Sequence, residues 1–98
     1  MKLWLDDIRK APKGYKRAYS VNEAINLIIE AEDKGEKIEM LDLDHDLGEF
    51  ANNGGDGIKL LDWLVMRDTL YPIKLHTCNP VGREYMQRMI NAFWNKEK

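Results

Sequence analysis

Apolar positions recur along this chain with two periods, and the switches between them mark its elements. Lys2 to Leu5 is a short apolar run ending abruptly in Asp6-Asp7, the pattern of a buried strand with an acidic carboxyl end. Lys10 to Gly14 contain Pro12 and Gly14 and read as a loop, after which Tyr15 to Tyr19 reads as a short amphipathic strand. Ser20 and Glu23 have the spacing of a capping box. Val21, Ala24, Ile25, Ile28 and Ala31 follow at helical spacing, so a helix is expected over about Val21 to Lys34, ahead of Gly35. Ile38 to Leu43 reads as the next strand, Leu41-Asp42-Leu43-Asp44 alternating with a period of two until Gly48 releases the chain into a turn. Gly48 to Gly57 is polar, with Asn53-Gly54-Gly55 at its tip, and is expected to be an exposed loop.

Asp56 stands where an N-cap belongs, before a second helix whose apolar line is Ile58, Leu61 and Val65, flanked by Leu60 and Leu64, and which ends near Asp68 or Thr69. Pro72 opens a strand over Ile73 to Thr77. Asn79-Pro80 starts the last helix, because proline fits the first helical position, and Met86, Met89, Ile90 and Phe93 form its apolar face. The order strand, strand, helix, strand, helix, strand, helix predicts an α/β domain with a parallel sheet covered by helices on both faces.

The 98 residues, 44% of them hydrophobic, suffice for one core, so a single domain over residues 1–98 is expected. With 15 basic and 17 acidic residues the formal charge is -2, which argues against long duplex DNA and leaves a nucleotide or an RNA end open as partner. Cys78 has no second cysteine to pair with, and no basic start followed by an apolar run marks a signal peptide or membrane span. A cytoplasmic protein without a membrane partner is expected; the pattern sets no oligomeric state.

Parallel strands present their carboxyl ends on one edge, so Asp6 and Asp7, Asp44 to Asp46, and His76 to Asn79 are expected to converge. Carboxylates crowd one another unless a cation joins them, and oxygen ligands completed by water suit Mg²⁺ or Mn²⁺. Asp6, Asp7, Asp44 and Asp46 are the candidate ligands. Solvated loop acids are the competing reading, which accounts for any one of them but poorly for their placement at successive strand ends.

The same edge offers groups for an anion. The helix starting at Asn79-Pro80 presents free amides and a positive dipole end, and Arg83 in its first turn is either part of that site or a surface charge. Arg9 could neutralise a phosphate or the Asp6-Asp7 pair, and Thr77 could reach a phosphate oxygen through its hydroxyl. His45 and His76, the chain's two histidines, both fall at this edge, where two imidazoles can serve as general base and general acid. Cys78 reads as a packed small residue, and Trp4, Trp63 and Trp94 as core or core-edge residues. The Asn52 to Gly57 loop lacks the Gly-Lys-Ser/Thr ending of a nucleotide P-loop.

Asp6-Asp7, Leu43-Asp44, the Asp56-Gly57 helix start and Thr77 together resemble the receiver domain of response regulators. Leu5-Asp6-Asp7-Ile8-Arg9, Leu43-Asp44-His45-Asp46-Leu47-Gly48 and His76-Thr77-Cys78-Asn79-Pro80-Val81-Gly82-Arg83 are more similar still to the cyclic-phosphate-processing receiver-like family, over nearly the whole chain. The resemblance implies a shortened flavodoxin-like three-layer sandwich with a mainly parallel sheet of about four strands. It also implies a divalent metal on Asp6, Asp7 and Asp44, with Asp44 at the position that receives phosphate in true receivers.

Departures from ordinary receivers are equally specific. The sequence ends after a fourth strand, without the fifth strand and its lysine; the link from Asp7 to Tyr15 is too short for the usual first helix; and His45 and His76 replace apolar positions. These shift the reading from phosphorelay to a metal-dependent phosphoesterase acting on cyclic phosphates of nucleotides or RNA ends, with His45, His76 and Asp44 in catalytic roles. The alternatives are a signalling module phosphorylated at Asp44 and a phosphate-binding domain without chemistry.

Overall fold

Leu3 and Leu5 on one strand and Leu41 and Leu43 on another are fully buried, and side-chain alternation turns all four toward the same side of a sheet. A computed structural model describes residues 1–95, so the last three residues of the expected 1–98 domain lie outside the described residues. The strands are β1 (Lys2–Leu5), β2 (Tyr15–Ala18), β3 (Met40–Leu43) and β4 (Ile73–Leu75), and the helices α1 (Val21–Asp33), α2 (Gly57–Arg67) and α3 (Pro80–Phe93). The sheet order is β2-β1-β3-β4 with every neighbouring pair parallel, a shortened α/β flavodoxin-like receiver fold.

The leucine face of the sheet is covered by Val21, Ala24, Ile28 and Ala31 of α1, Leu60, Leu61 and Leu64 of α2, and Met86 and Ile90 of α3, all in one apolar cluster. Each of the larger side chains contributes about 1.5–3 kcal/mol through burial. Helices on both faces were expected, and here the layering differs. The crossovers β2-α1-β3 and β3-α2-β4 run the same way across the sheet, so right-handed connection sets α1 and α2 on one face, and α3 packs beside α2. The β1–β2 link is too short to supply a helix for the opposite face. That face carries Lys2, Trp4, Tyr15, Arg17, Asp42 and Lys74, and among the described residues no helix packs on it.

Local chemistry explains most boundaries. The Ser20 hydroxyl accepts from the Glu23 N–H at 3.1 Å and Glu23 reaches back to the Tyr19 N–H at 2.7 Å, which starts α1. Ile38 is buried yet lies outside the β3 ladder, and β4 stops at Leu75 instead of Thr77. Gly48–Asn52, expected as open loop, forms a 3₁₀ helix. The Asp56 carboxylate turns away from α2 and accepts from the Leu47 N–H at 3.1 Å, so it closes this loop instead of capping the helix. Phe93 is exposed, and Trp94 takes the inner position, its indole N–H donating to the Tyr71 carbonyl at 2.7 Å.

Glu32 joins α1 to α2. It accepts from Arg67 at 2.8 Å and from the Tyr71 hydroxyl, and Arg67 in turn covers the Trp63 ring. The Arg67 guanidinium holds the Glu32 carboxyl below its usual range, against burial and with help from Tyr71. A depressed carboxyl contributes stability above its unfolded pKa of 4.5 and loses it as pH falls through the folded value. Glu32→Gln is therefore expected to lower stability at pH 7 by about 1 kcal/mol, solvent screening included, and to differ less from the wild type in urea melts below about pH 4.

Candidate active-site cleft

β1 and β3 are adjacent and in register, Leu5 beside Leu43, so the residues that follow them, Asp6-Asp7 and Asp44, leave the sheet side by side. Carboxylate oxygens of Asp6, Asp7 and Asp44 all lie within 4.8 Å of one another. They line a cleft of about 460 Å³ together with Ile8, Arg9, Asp46, Gly48, Thr77, Cys78 and Asn79. The expected convergence of three strand ends is present, and Asp6 and Asp7 are shifted in opposite directions.

Burial would raise Asp6, but the N–H groups of Arg9 and Ile8 (2.9 and 2.8 Å to Oδ1) and the His76 ring (2.9 Å to Oδ2) outweigh it and hold the carboxyl below its usual range. Asp7 is raised, first by burial and then by the charges of Asp6 and Asp44. Asp44 Oδ1 accepts from the His45 N–H at 2.8 Å. A divalent cation fits this donor set. Asp6 keeps a lone pair on Oδ2, Asp7 carries the repulsion that a cation would remove, and hard oxygen donors suit Mg²⁺ or Mn²⁺. Gly48 preserves the space, since a Cβ there would stand 2.8 Å from Asp7 Oδ2.

Asp46, also a candidate ligand, does not join the three. It lines the cleft but accepts from His45 Nδ1 at 2.8 Å and from the Asn79 amide at 3.1 and 3.0 Å, and these partners, His45 foremost, hold its carboxyl low. The His45 ring rests on Gly82 of α3, where a Cβ would meet it at 2.6 Å. Neither imidazole is among the cleft-lining residues. His76 has both ring nitrogens on carboxylates, Nδ1 at 2.7 Å from Asp42 and Nε2 at 2.9 Å from Asp6, and it stacks on Trp4 with centroids 3.7 Å apart.

The anion-binding groups divide. Arg9 does not bond the acids through its guanidinium; it spans the cleft to the His76 carbonyl at 2.5 Å and the Cys78 sulfur at 2.6 Å. Cys78 is thus exposed and engaged, not packed. Thr77 is buried and accepts from the Asn79 N–H at 3.1 Å, which leaves its hydroxyl hydrogen to give. The α3 amides expected to receive an anion are already used: Asn79 Oδ1 takes the N–H groups of Val81 and Gly82 at 3.0 and 3.1 Å, and its carbonyl takes that of Arg83. Arg83 is exposed and lies outside the cleft lining.

The sequence pattern assigns no role to Asp42, and it gives Trp4, a core or core-edge position, no part in the site. The available signal was parity. Trp4 and Asp42 sit at even positions of registered strands, opposite the leucine face, and Asp6 and His76 continue that parity one residue past the ends of β1 and β4.

No curated protein and no solved structure matches the chain. A family model described as the cyclic-phosphate processing receiver domain matches residues 1–92. With that match over nearly the whole chain, and with Asp6, Asp7, Asp44 and Thr77 around one cleft at the carboxyl edge of a parallel sheet, the chain belongs to the cyclic-phosphate processing receiver domain family.

Proposed function

We propose that the protein is a metal-dependent phosphoesterase that opens cyclic phosphates of nucleotides or RNA ends. The observation that carries this reading is the meeting of Asp6, Asp7 and Asp44 in one cleft that Arg9 and Thr77 also line. Mg²⁺ or Mn²⁺ on the three acids would offset charge on phosphoryl oxygens. Arg9 gives a second positive charge and the Thr77 hydroxyl a donor, so the cyclic phosphate is held between acids and donors. Water loses a proton as it adds to phosphorus, one ring P–O bond breaks, and the leaving sugar oxygen takes up a proton to become a hydroxyl. His45 is the better placed of the imidazoles for proton transfer. Asp46 fixes its Nδ1, whereas both nitrogens of His76 are engaged by carboxylates.

Incubation with cyclic mononucleotides and cyclic-phosphate-ended RNA is expected to yield ring-opened monoesters with Mn²⁺ or Mg²⁺ and nothing with chelator. Binding of these compounds without turnover would leave a phosphate-recognition domain.

The signalling alternative makes a different demand. A phosphoryl group on Asp44 needs the lysine that meets it in ordinary receivers, and among the described residues no lysine lines the cleft. Acetyl phosphate with Mg²⁺ is expected to leave the intact mass unchanged. A stable phosphoryl adduct that disappears in Asp44→Asn would move phosphorelay to first place.

A further inference from the structure

His76 is an unusual histidine for a cleft that needs acid-base groups, because neither of its ring nitrogens is left over. Nδ1 faces Asp42 Oδ1 at 2.7 Å and Nε2 faces Asp6 Oδ2 at 2.9 Å. Trp4 lies flat against the ring, 3° from parallel, and is itself anchored by its indole N–H on the Arg9 carbonyl at 3.0 Å and by the edge of Tyr15. Asp42 is buried in the middle of β3, where a carboxylate has no place without a partner. Among the described residues His76 is the partner it has.

We propose that Asp42 and Trp4 are positioning residues: they lock the His76 ring so that its Nε2 fixes Asp6, leaving one defined Asp6 lone pair for the divalent cation.

The hydrogen bonds around Asp6 make the lock specific. Its Oδ1 has both lone pairs occupied by the N–H groups of Ile8 and Arg9, and Oδ2 has one occupied by His76. What remains is a single acceptor direction, on the oxygen that His76 orients. Without His76 held in place the Asp6 side chain keeps its two backbone bonds but loses the contact that determines where Oδ2 points. Partners of this kind beyond the ligands typically change metal affinity 10–100-fold. Asp42 acts two contacts away from the cation, through His76 and then Asp6, and it does not line the cleft.

This inference rests on the metal-dependent reading above, and its test separates the two. Mn²⁺ binding is measured by calorimetry, well below the melting temperature of each variant, for the wild type, Asp42→Ala, Asp42→Asn, Trp4→Phe and Trp4→Ala. Asp42→Ala and Trp4→Ala are expected to weaken Mn²⁺ binding about 10–100-fold. Asp42→Asn keeps an acceptor for Nδ1–H and Trp4→Phe keeps a flat ring, so both should stay within about 3-fold of the wild type. A purely structural role would lower all melting temperatures without this split. A second measurement needs no metal: side-chain ¹H–¹⁵N spectra are expected to contain a protected His76 Nδ1–H that survives in Asp42→Asn and is lost in Asp42→Ala. Mn²⁺ binding by folded Asp42→Ala as tight as in the wild type overturns the proposal and leaves the metal reading standing. A wild type that binds no Mn²⁺ overturns the metal reading, and the positioning role falls with it.

Discussion

Asp7→Asn is expected to melt above the wild type in chelator, to gain little from millimolar Mn²⁺, and to lose turnover on cyclic phosphates about 100-fold to 10,000-fold. The first effect follows from crowding. Burial and the neighbouring Asp6 and Asp44 charges raise the Asp7 carboxyl above its ordinary value of 3.8. A raised carboxyl destabilises the fold in its ionised form, and the penalty appears as pH rises through 3.8 to the folded value and persists at neutral pH. Asparagine has no charge to repel, so its advantage in chelator is present at pH 7 and absent in strong acid. The second effect has the opposite sign. A cation that binds only the folded state stabilises by mass action, about 2.7 kcal/mol at a hundred times its Kd, and a variant lacking one of three acids forfeits most of that. The order of the two melting temperatures is therefore expected to reverse between chelator and saturating Mn²⁺. The loss of rate corresponds to several kcal/mol of phosphoryl charge stabilisation that the ion supplies. Identical melting of wild type and variant in both conditions would remove Asp7 from any metal site.

That crowding at the strand ends could be read from the sequence, because it depends on two facts visible there: acids directly after apolar runs, and a strand order that makes the runs parallel. Asp6, Asp7, Asp44, Thr77 and Asn79 all reach the cleft as this pattern implies. Contacts that depend on strand register and ring orientation were less accessible. Asp42 and His76 are 34 residues apart, and their meeting depends on β3 and β4 pairing Asp42 with Lys74, which puts His76 on the same face one step further on. Asn79 illustrates a different limit. The same asparagine before a proline marks both an N-cap and an anion site, and only the geometry reveals that its own side chain has taken the amides an anion would need. Layering was hidden for a third reason. Element order names crossovers without saying which way they run, and here β2 at the edge and β1 inside send both helical crossovers in one direction. At the α3 terminus the apolar period fits Phe93 as well as the core or core-edge Trp94, but the indole N–H has a carbonyl partner to reach and the phenyl ring has none.

Gly82→Ala is expected to cost turnover about 100-fold while leaving the fold and the Mn²⁺ response intact. Alanine normally stabilises a helix relative to glycine by about 0.5–1 kcal/mol, so α3 itself has nothing to lose. The new Cβ, however, would stand 2.6 Å from both Cγ and Nδ1 of His45, and at that distance the ring has to move. Nδ1 is the atom held by Asp46, so displacement of the ring breaks the contact that fixes the imidazole's orientation. A positioned acid or base is typically worth about 100-fold to 10,000-fold in rate. His45→Ala should then fall at least as far as Gly82→Ala, and the double variant no further than His45→Ala, because both changes disable one group. Asp46→Ala should share the defect, with part of its loss arising from the freed Asn79 amide. Rates are compared at saturating substrate and Mn²⁺, with melting curves to verify that each variant is folded. Wild-type turnover in Gly82→Ala and His45→Ala alike would take His45 out of the mechanism and leave proton transfer to the cleft acids themselves.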